Sequence, residues 1–157
     1  MDAPKDPMAE AIALARQALT DDVGGPFGAV VVLEGRIVGR GRNRVLADHD
    51  PTAHAEVLAL RDACRNLGRV HLPGAVVHAS SEPCPMCLAA LYWARVARVV
   101  YAADRTAAPA AGFDDAFLYR ELALPAAKRT LPVEPAAHPE ARDVLEAWAR
   151  TKGRNLY

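Results

Sequence analysis

A chain of 157 residues, 52% apolar and 24% charged, is long enough to bury a hydrophobic core and is the size of one domain. Lys plus Arg and Asp plus Glu number 19 each, so the net charge is zero and the basic surplus of a protein that grips a long polyanion is missing. No apolar run approaches the roughly 20 residues of a bilayer span, because the strand-like AVVVL stops at Glu34.

In chain order, residues 7–19 place Ile12, Leu14, Ala15, Ala18 and Leu19 at near-helical spacing, behind Asp6 as N-cap and Pro7 at the first helical position. DDVGGP (21–26) breaks that helix. Two β-rich runs, 27–33 and 36–41, flank Glu34-Gly35 and read as a tight hairpin. Asp50 and Pro51 resemble the cap and first residue of a second helix, which runs to Leu67 and is stopped by Gly68. A buried strand is expected at 75–80, a helix from Pro85 to Arg95, a strand at 97–103 and a loop over 104–112. A short helix at 114–122, a weak edge strand at 129–133 and a last helix at 139–152 complete the chain. Strands interleaved with helices argue for a layered α/β domain with a mixed sheet.

The opening MDAPKDPM mixes acids and prolines and lacks the form of a secretory leader, so a reducing, cytoplasmic setting is expected. There, three cysteines suit metal binding or catalysis better than a disulfide framework. CPMC (84–87) by itself leaves a metal corner, a redox dithiol and chance all open. Thirty residues upstream, PTAHAEV (51–57) brings a His and a Glu two apart at a helix start. The combination is similar to the H-x-E…P-C-x-x-C signature of zinc deaminases.

The residue types suit that chemistry. Cys84 and Cys87 share the first turn of a helix, whose positive end favours thiolates. His54 supplies a third, neutral ligand, and three protein ligands leave a tetrahedral ion one open position. Glu56 could take a proton from a water on the ion. In a regular helix, residues two apart point about 200° from each other, so this pairing requires the helix to begin near His54. Cys64 lies about 15 Å along the same expected helix from His54, too far to share the ion, and reads as core. His49, His71, His78 and His138 have no partners at ligand spacing and read as packing or surface residues. RNLGR (65–69) reads as a solvated helix end.

GGPFGAV (24–30), DPTAHAEV (50–57), EPCPMCLAALYWAR (82–95) and AGFDDAFLY (111–119), with the terminal tyrosine, together resemble the bacterial guanine deaminases of the cytidine deaminase-like superfamily. That resemblance covers effectively the whole chain. It implies a three-layer α/β/α sandwich with a central mixed sheet of about five strands, forming one deaminase domain over 1–157. It also implies one zinc per chain on His54, Cys84 and Cys87, with Glu56 as proton shuttle. Attack of a zinc-bound water at the amine-bearing C2 of guanine would give xanthine and ammonia. Asn43 would contact the base with both a donor and an acceptor, Phe27 would wall the pocket, Asp115 would hold or relay protons, and Tyr157 would help to close the site. A flat ring also wants an aromatic partner, and Trp93 is a second candidate wall. A homodimer is expected. No nucleic-acid or membrane partner is expected.

Guanosine, another nucleoside or an ammeline-like triazine would fit the same frame, whereas a tRNA adenosine deaminase would want a basic face. A structural zinc module is disfavoured by Glu56 beside an incomplete ligand set, and a thiol oxidoreductase would use CPMC for dithiol cycling instead of binding zinc.

Overall fold

The computed structural model describes residues 6–157, and the reading of residues 1–5 as no secretory leader lies outside them. The helices are α1 (Pro7–Thr20), the single turn α2 (Val45–Asp48), α3 (Ala55–Leu67), α4 (Pro85–Trp93), α5 (Asp115–Ala123) and α6 (Pro139–Arg150). The strands are β1 (Gly28–Leu33), β2 (Arg36–Arg42), β3 (Val76–Ser81) and β4 (Arg98–Ala103). They form one sheet in the order β2-β1-β3-β4. β1 runs antiparallel to both β2 and β3, and β3 runs parallel to β4, so the sheet is mixed. Two compact units divide the chain, the first ending at Leu118 and the second running from Tyr119 to Tyr157.

Local chemistry accounts for most boundaries. The Asp6 carboxylate accepts the Met8 N–H at 3.0 Å and caps α1, with Pro7 in its first turn. Glu34 and Gly35 both take positive φ (50° and 74°), as the tight β1–β2 hairpin requires. Gly68 ends α3 in the left-handed region, at φ 63°.

Alternation along β1 sorts the two faces of the sheet. Gly28 faces α1, and a Cβ there would lie 2.1 Å from the Ala11 carbonyl oxygen. Ala29 and Val31 face the other way, into a core with Ala55, Ala59, Leu60 and Ala63 of α3 and Leu91 of α4. Gly41 and Gly39, paired with Ala29 and Val31 in the ladder, lie on that same face. A Cβ on Gly41 would come within 2.1 Å of the Ala55 carbonyl oxygen, so only glycine lets α3 press this closely on β2. The outer edge of β2 is closed by side chains of α3. Asp62 accepts the Arg40 N–H at 2.9 Å, and Asn66 donates to the Val38 carbonyl at 2.9 Å.

Three expectations are corrected. The second helix begins at Ala55, not Pro51, because the Asp50 carboxylate accepts the Thr52 N–H at 2.8 Å and its hydroxyl at 2.7 Å, folding 50–54 into a turn. Among the described residues the sheet has four strands, not five. Residues 129–133 are irregular, since Pro132 can give no ladder N–H and Glu121 accepts both the N–H and the hydroxyl of Thr130, at 2.7 and 2.8 Å. α4 stops at Trp93, two residues short of the expected end, where Arg95 turns left-handed.

Within the second unit no residue is buried. Arg129 donates to the Leu124 carbonyl at 3.1 Å, and α6 leaves Val144, Leu145 and Trp148 exposed along an apolar stripe.

Candidate active site and metal centre

Two helix starts hold the metal donors. His54 is the N-cap of α3 and Cys84 the N-cap of α4, both with extended backbone, and Cys87 lies in the first turn of α4. The His54 ring nitrogen Nδ1 lies 3.6 Å from Cys84 Sγ and 3.5 Å from Cys87 Sγ. All three candidate donor atoms lie within 4.8 Å of one another. A tetrahedral zinc with Zn–S of about 2.3 Å and Zn–N of about 2.05 Å sets neighbouring S and N donors about 3.6 Å apart, so the spacing suits that ion. As the N-cap, His54 stands outside the helix, which removes the 200° conflict with Glu56.

Electrostatics favour a cation in the same place. The Cys84 thiol is lowered to about 4, first by the hydrogen bond from Cys87 and also by His54. Cys87, the donor in that pair, is pushed upward. His54 is raised, chiefly by its hydrogen bond to Cys84. Glu56 is only 8% exposed, its Oε2 3.4 Å from Cys87 Sγ, and burial is the main reason its pKa rises.

A cavity of about 490 Å³ opens on this cluster, within the usual range for small-molecule sites. His54, Glu56 and Cys84 are among its lining residues, together with Phe27, Asn43, Glu82, Phe113 and Asp115. Among the described residues, no Lys or Arg lines it.

Asn43 sits just past β2, 4% exposed. Its Oδ1 accepts the Gly25 N–H at 3.2 Å and the Val45 N–H at 3.1 Å. Both lone pairs are engaged, so the group left to offer is the Nδ2 donor, which corrects the expectation of donor and acceptor together. GGP is needed for this: a Cβ on Gly24 would fall 2.1 Å from that oxygen.

Phe27 meets Phe113 edge to face, with centroids 4.8 Å apart and planes at 78°. The Asp114 carboxylate accepts the Phe117 N–H at 3.0 Å and caps α5, leaving Asp115 to line the cavity. Asp115 is raised, first by burial and next by the negative charge of Cys84.

Trp93 does not share this wall. It is 67% exposed at the end of α4 and absent from the cavity lining. Six residues separate it from Cys87, about 240° around the helix, so a cysteine turned toward His54 turns Trp93 away. Tyr157 belongs to the second unit and is exposed. Cys64 is partly buried against the core of the first unit, its thiol 3.8 Å from the Val70 carbonyl. The sequence reading missed Phe113 and Glu82, although Phe113 stands inside the quoted GFDD and Glu82 directly precedes Pro83-Cys84.

With three donors at zinc spacing, a buried carboxylate beside them and a cavity on top, the first unit has the build of a zinc deaminase. The chain belongs to the cytidine and deoxycytidylate deaminase zinc-binding family, whose model matches residues 1–103. Among its relatives is the guanine deaminase of Bacillus subtilis strain 168, 46% identical over 147 residues that cover 94% of each chain. The crystal structure of guanine deaminase from Bacillus subtilis superposes with a TM-score of 0.92 at 44% identity, covering 96% of both chains. A structure of guanine deaminase from Nitrosomonas europaea gives 0.66 at 36% identity, over 73% of this chain and 66% of that one. The tRNA-specific adenosine deaminase of Agrobacterium fabrum is 49% identical over 79 residues, half of this chain and 52% of its own.

Proposed function

We propose that residues 1–157 form a single deaminase domain that hydrolyses guanine to xanthine and ammonia. The observation that carries this reading is the cavity itself: it opens on His54 and Cys84 of the donor cluster, and among the described residues none that lines it is cationic. Among these lining residues a nucleotide phosphate would find no positive partner, whereas a small neutral ring with N–H donors meets acids. Similarity along 94% of both chains to a guanine deaminase points to the same substrate, while the tRNA adenosine deaminase matches over only half.

His54, Cys84 and Cys87 would hold the zinc, which when bound would supply a Lewis acid and lower the pKa of a water toward neutrality. Glu56 moves the proton. Its raised pKa lets it accept one from the attacking water, pass it to the ring nitrogen beside C2, and return one to the departing amine. Water adds its oxygen to C2 as the C2–N bond breaks, so guanine and water balance xanthine and ammonia. Asn43 donates through Nδ2 to a ring-nitrogen lone pair. Ionised Asp115 accepts an N–H at the polar edge of the purine. Phe27 and Phe113 supply an aromatic wall and exclude water.

The test is ammonia release from guanine, guanosine, cytosine, adenine, cytidine, CMP and ammeline. Guanine is expected first, with guanosine and ammeline behind it, and a clear preference for cytidine or CMP overturns the reading. The enzyme is further proposed to be a cytoplasmic homodimer that needs no nucleic-acid partner. The exposed Val144, Leu145 and Trp148 stripe supports dimerisation. Light scattering that finds monomer only rejects it.

A further inference from the structure

Residues 104–113 lead from β4 to α5 and bring Ala111 and Phe113 to the cavity lining. Ala108 is the only residue of that stretch to be buried. Inside it, the Asp104 carboxylate accepts the Thr106 N–H at 2.9 Å, and the Phe113 N–H donates to the Ala108 carbonyl at 3.1 Å. These bonds tie the stretch to itself, and the Phe27–Phe113 ring contact fastens one end of it. Glu82 supplies a second fastening at the other end. Its N–H donates to the Ala103 carbonyl at 2.8 Å, and its Oε2 accepts the Arg105 N–H at 2.9 Å. Glu82 stands two residues before Cys84 and itself lines the cavity.

We propose that Glu82 is a positioning residue that ties the substrate-binding wall, Phe113 and Asp115, to the segment carrying the metal cysteines. The clamp bridges two pieces that must keep a fixed distance. Cys84 fixes where the reacting carbon must sit, and Phe113 with Asp115 fix where the ring lies. A carboxylate gripping the backbone at 105 holds that spacing for any residue there except proline, because the bond is to an N–H. Misplacing a substrate by about 1 Å can cost on the order of 100-fold in rate. Aligned this way, Glu82 acts without touching the reacting atoms.

The inference rests on the deaminase reading, so its test has one arm that needs no substrate. In zinc-loaded protein, Glu82→Ala and Glu82→Gln are compared with the parent by amide hydrogen exchange over 104–113, zinc content and thermal unfolding. Affinity for 8-azaguanine and kcat/KM for guanine are measured alongside. Glu82→Ala is expected to exchange the Arg105 amide about tenfold faster. It should also weaken 8-azaguanine binding and lower kcat/KM about tenfold or more, with zinc and cooperative unfolding kept. Glu82→Gln keeps an oxygen acceptor and should stay within about threefold of the parent, a rescue that a need for negative charge would not give. Three results overturn the proposal: Glu82→Ala matching the parent in exchange and binding, Glu82→Gln as impaired as Glu82→Ala, or Glu82→Ala losing zinc. If the parent neither binds 8-azaguanine nor deaminates guanine, the functional reading fails, and exchange over 104–113 still decides the clamp.

Discussion

On the metal side of the cavity, His54 and Cys84 are each the residue before a helix, and Glu56 and Cys87 follow within a turn. On the recognition side, Asn43, Phe27, Phe113 and Asp115 come from a strand end, the approach to β1, a loop and the start of α5. The first group is placed by two helix starts packed on the sheet through Gly41 and the α3 core. The second is placed by hydrogen bonds and one ring contact between segments far apart in sequence. The metal donors therefore sit at the starts of packed helices, and the residues proposed to contact the substrate sit largely on the segments that connect the elements. The two sides should respond differently to perturbation.

The largest break comes from removing the metal. Dialysis against a chelator should abolish ammonia release and lower the melting temperature, because zinc bound only to the native site adds to stability. Added zinc should restore both, as read by metal analysis and thermal unfolding; activity that persists in metal-free protein contradicts the reading. Next is Glu56→Gln, expected to cut kcat about 10³-fold with zinc retained. Its effect on stability has a definite sign. Burial raises the Glu56 pKa, so the native state holds that proton more tightly than the unfolded chain and loses stability as pH rises through the native value. The glutamine variant should lack that decline in urea titrations across pH.

Asn43→Asp separates folding from recognition. An aspartate oxygen can still accept the Gly25 and Val45 N–H groups, but Nδ2 is gone. Stability should hold while kcat/KM for guanine falls about 10- to 100-fold, the loss expected when a buried donor to substrate is removed. Asn43→Ala should lose both, with about 1–3 kcal/mol of stability from two unpaired N–H groups.

Asp115 should show itself through pH. Burial and the Cys84 charge raise it, so it protonates at a higher pH than a free aspartate and then stops accepting an N–H. The acid limb of kcat/KM should therefore lie higher than for a free aspartate, and Asp115→Asn should remove that limb. A limb unchanged in the variant assigns it to another group.

What could be read from the chain follows the same division. His54, Glu56, Cys84 and Cys87 were legible because helix starts leave local marks: a Pro beside Cys84, a His-x-Glu at the head of an apolar helix. Even there the turn at 50–54 was misread as helix, since Asp50 caps the turn it stands in instead of α3. Asn43 was found by resemblance, but its single free donor depends on Gly25 and Val45, which only the fold brings to it. Phe113 and Glu82 act across 86 and 23 residues of chain, toward Phe27 and Arg105, and periodicity carries no trace of such pairs.

The smallest expected effect tests the aromatic wall. Trp93 was a reasonable candidate because a flat ring wants an aromatic face and the residue sits in the same segment as both cysteines. The turn of α4 sends it the other way, and an exposed position away from the cavity should tolerate change. Trp93→Ala should leave kcat/KM within about twofold of the parent. Phe113→Leu keeps the apolar volume but gives up the edge-to-face contact with Phe27, worth about 0.5–1.5 kcal/mol, and should raise KM by up to about tenfold with kcat nearly unchanged. The pair of variants isolates which aromatic ring borders the purine: a large KM effect at Trp93 with none at Phe113 would move the wall to α4 and reverse the placement of the recognition side.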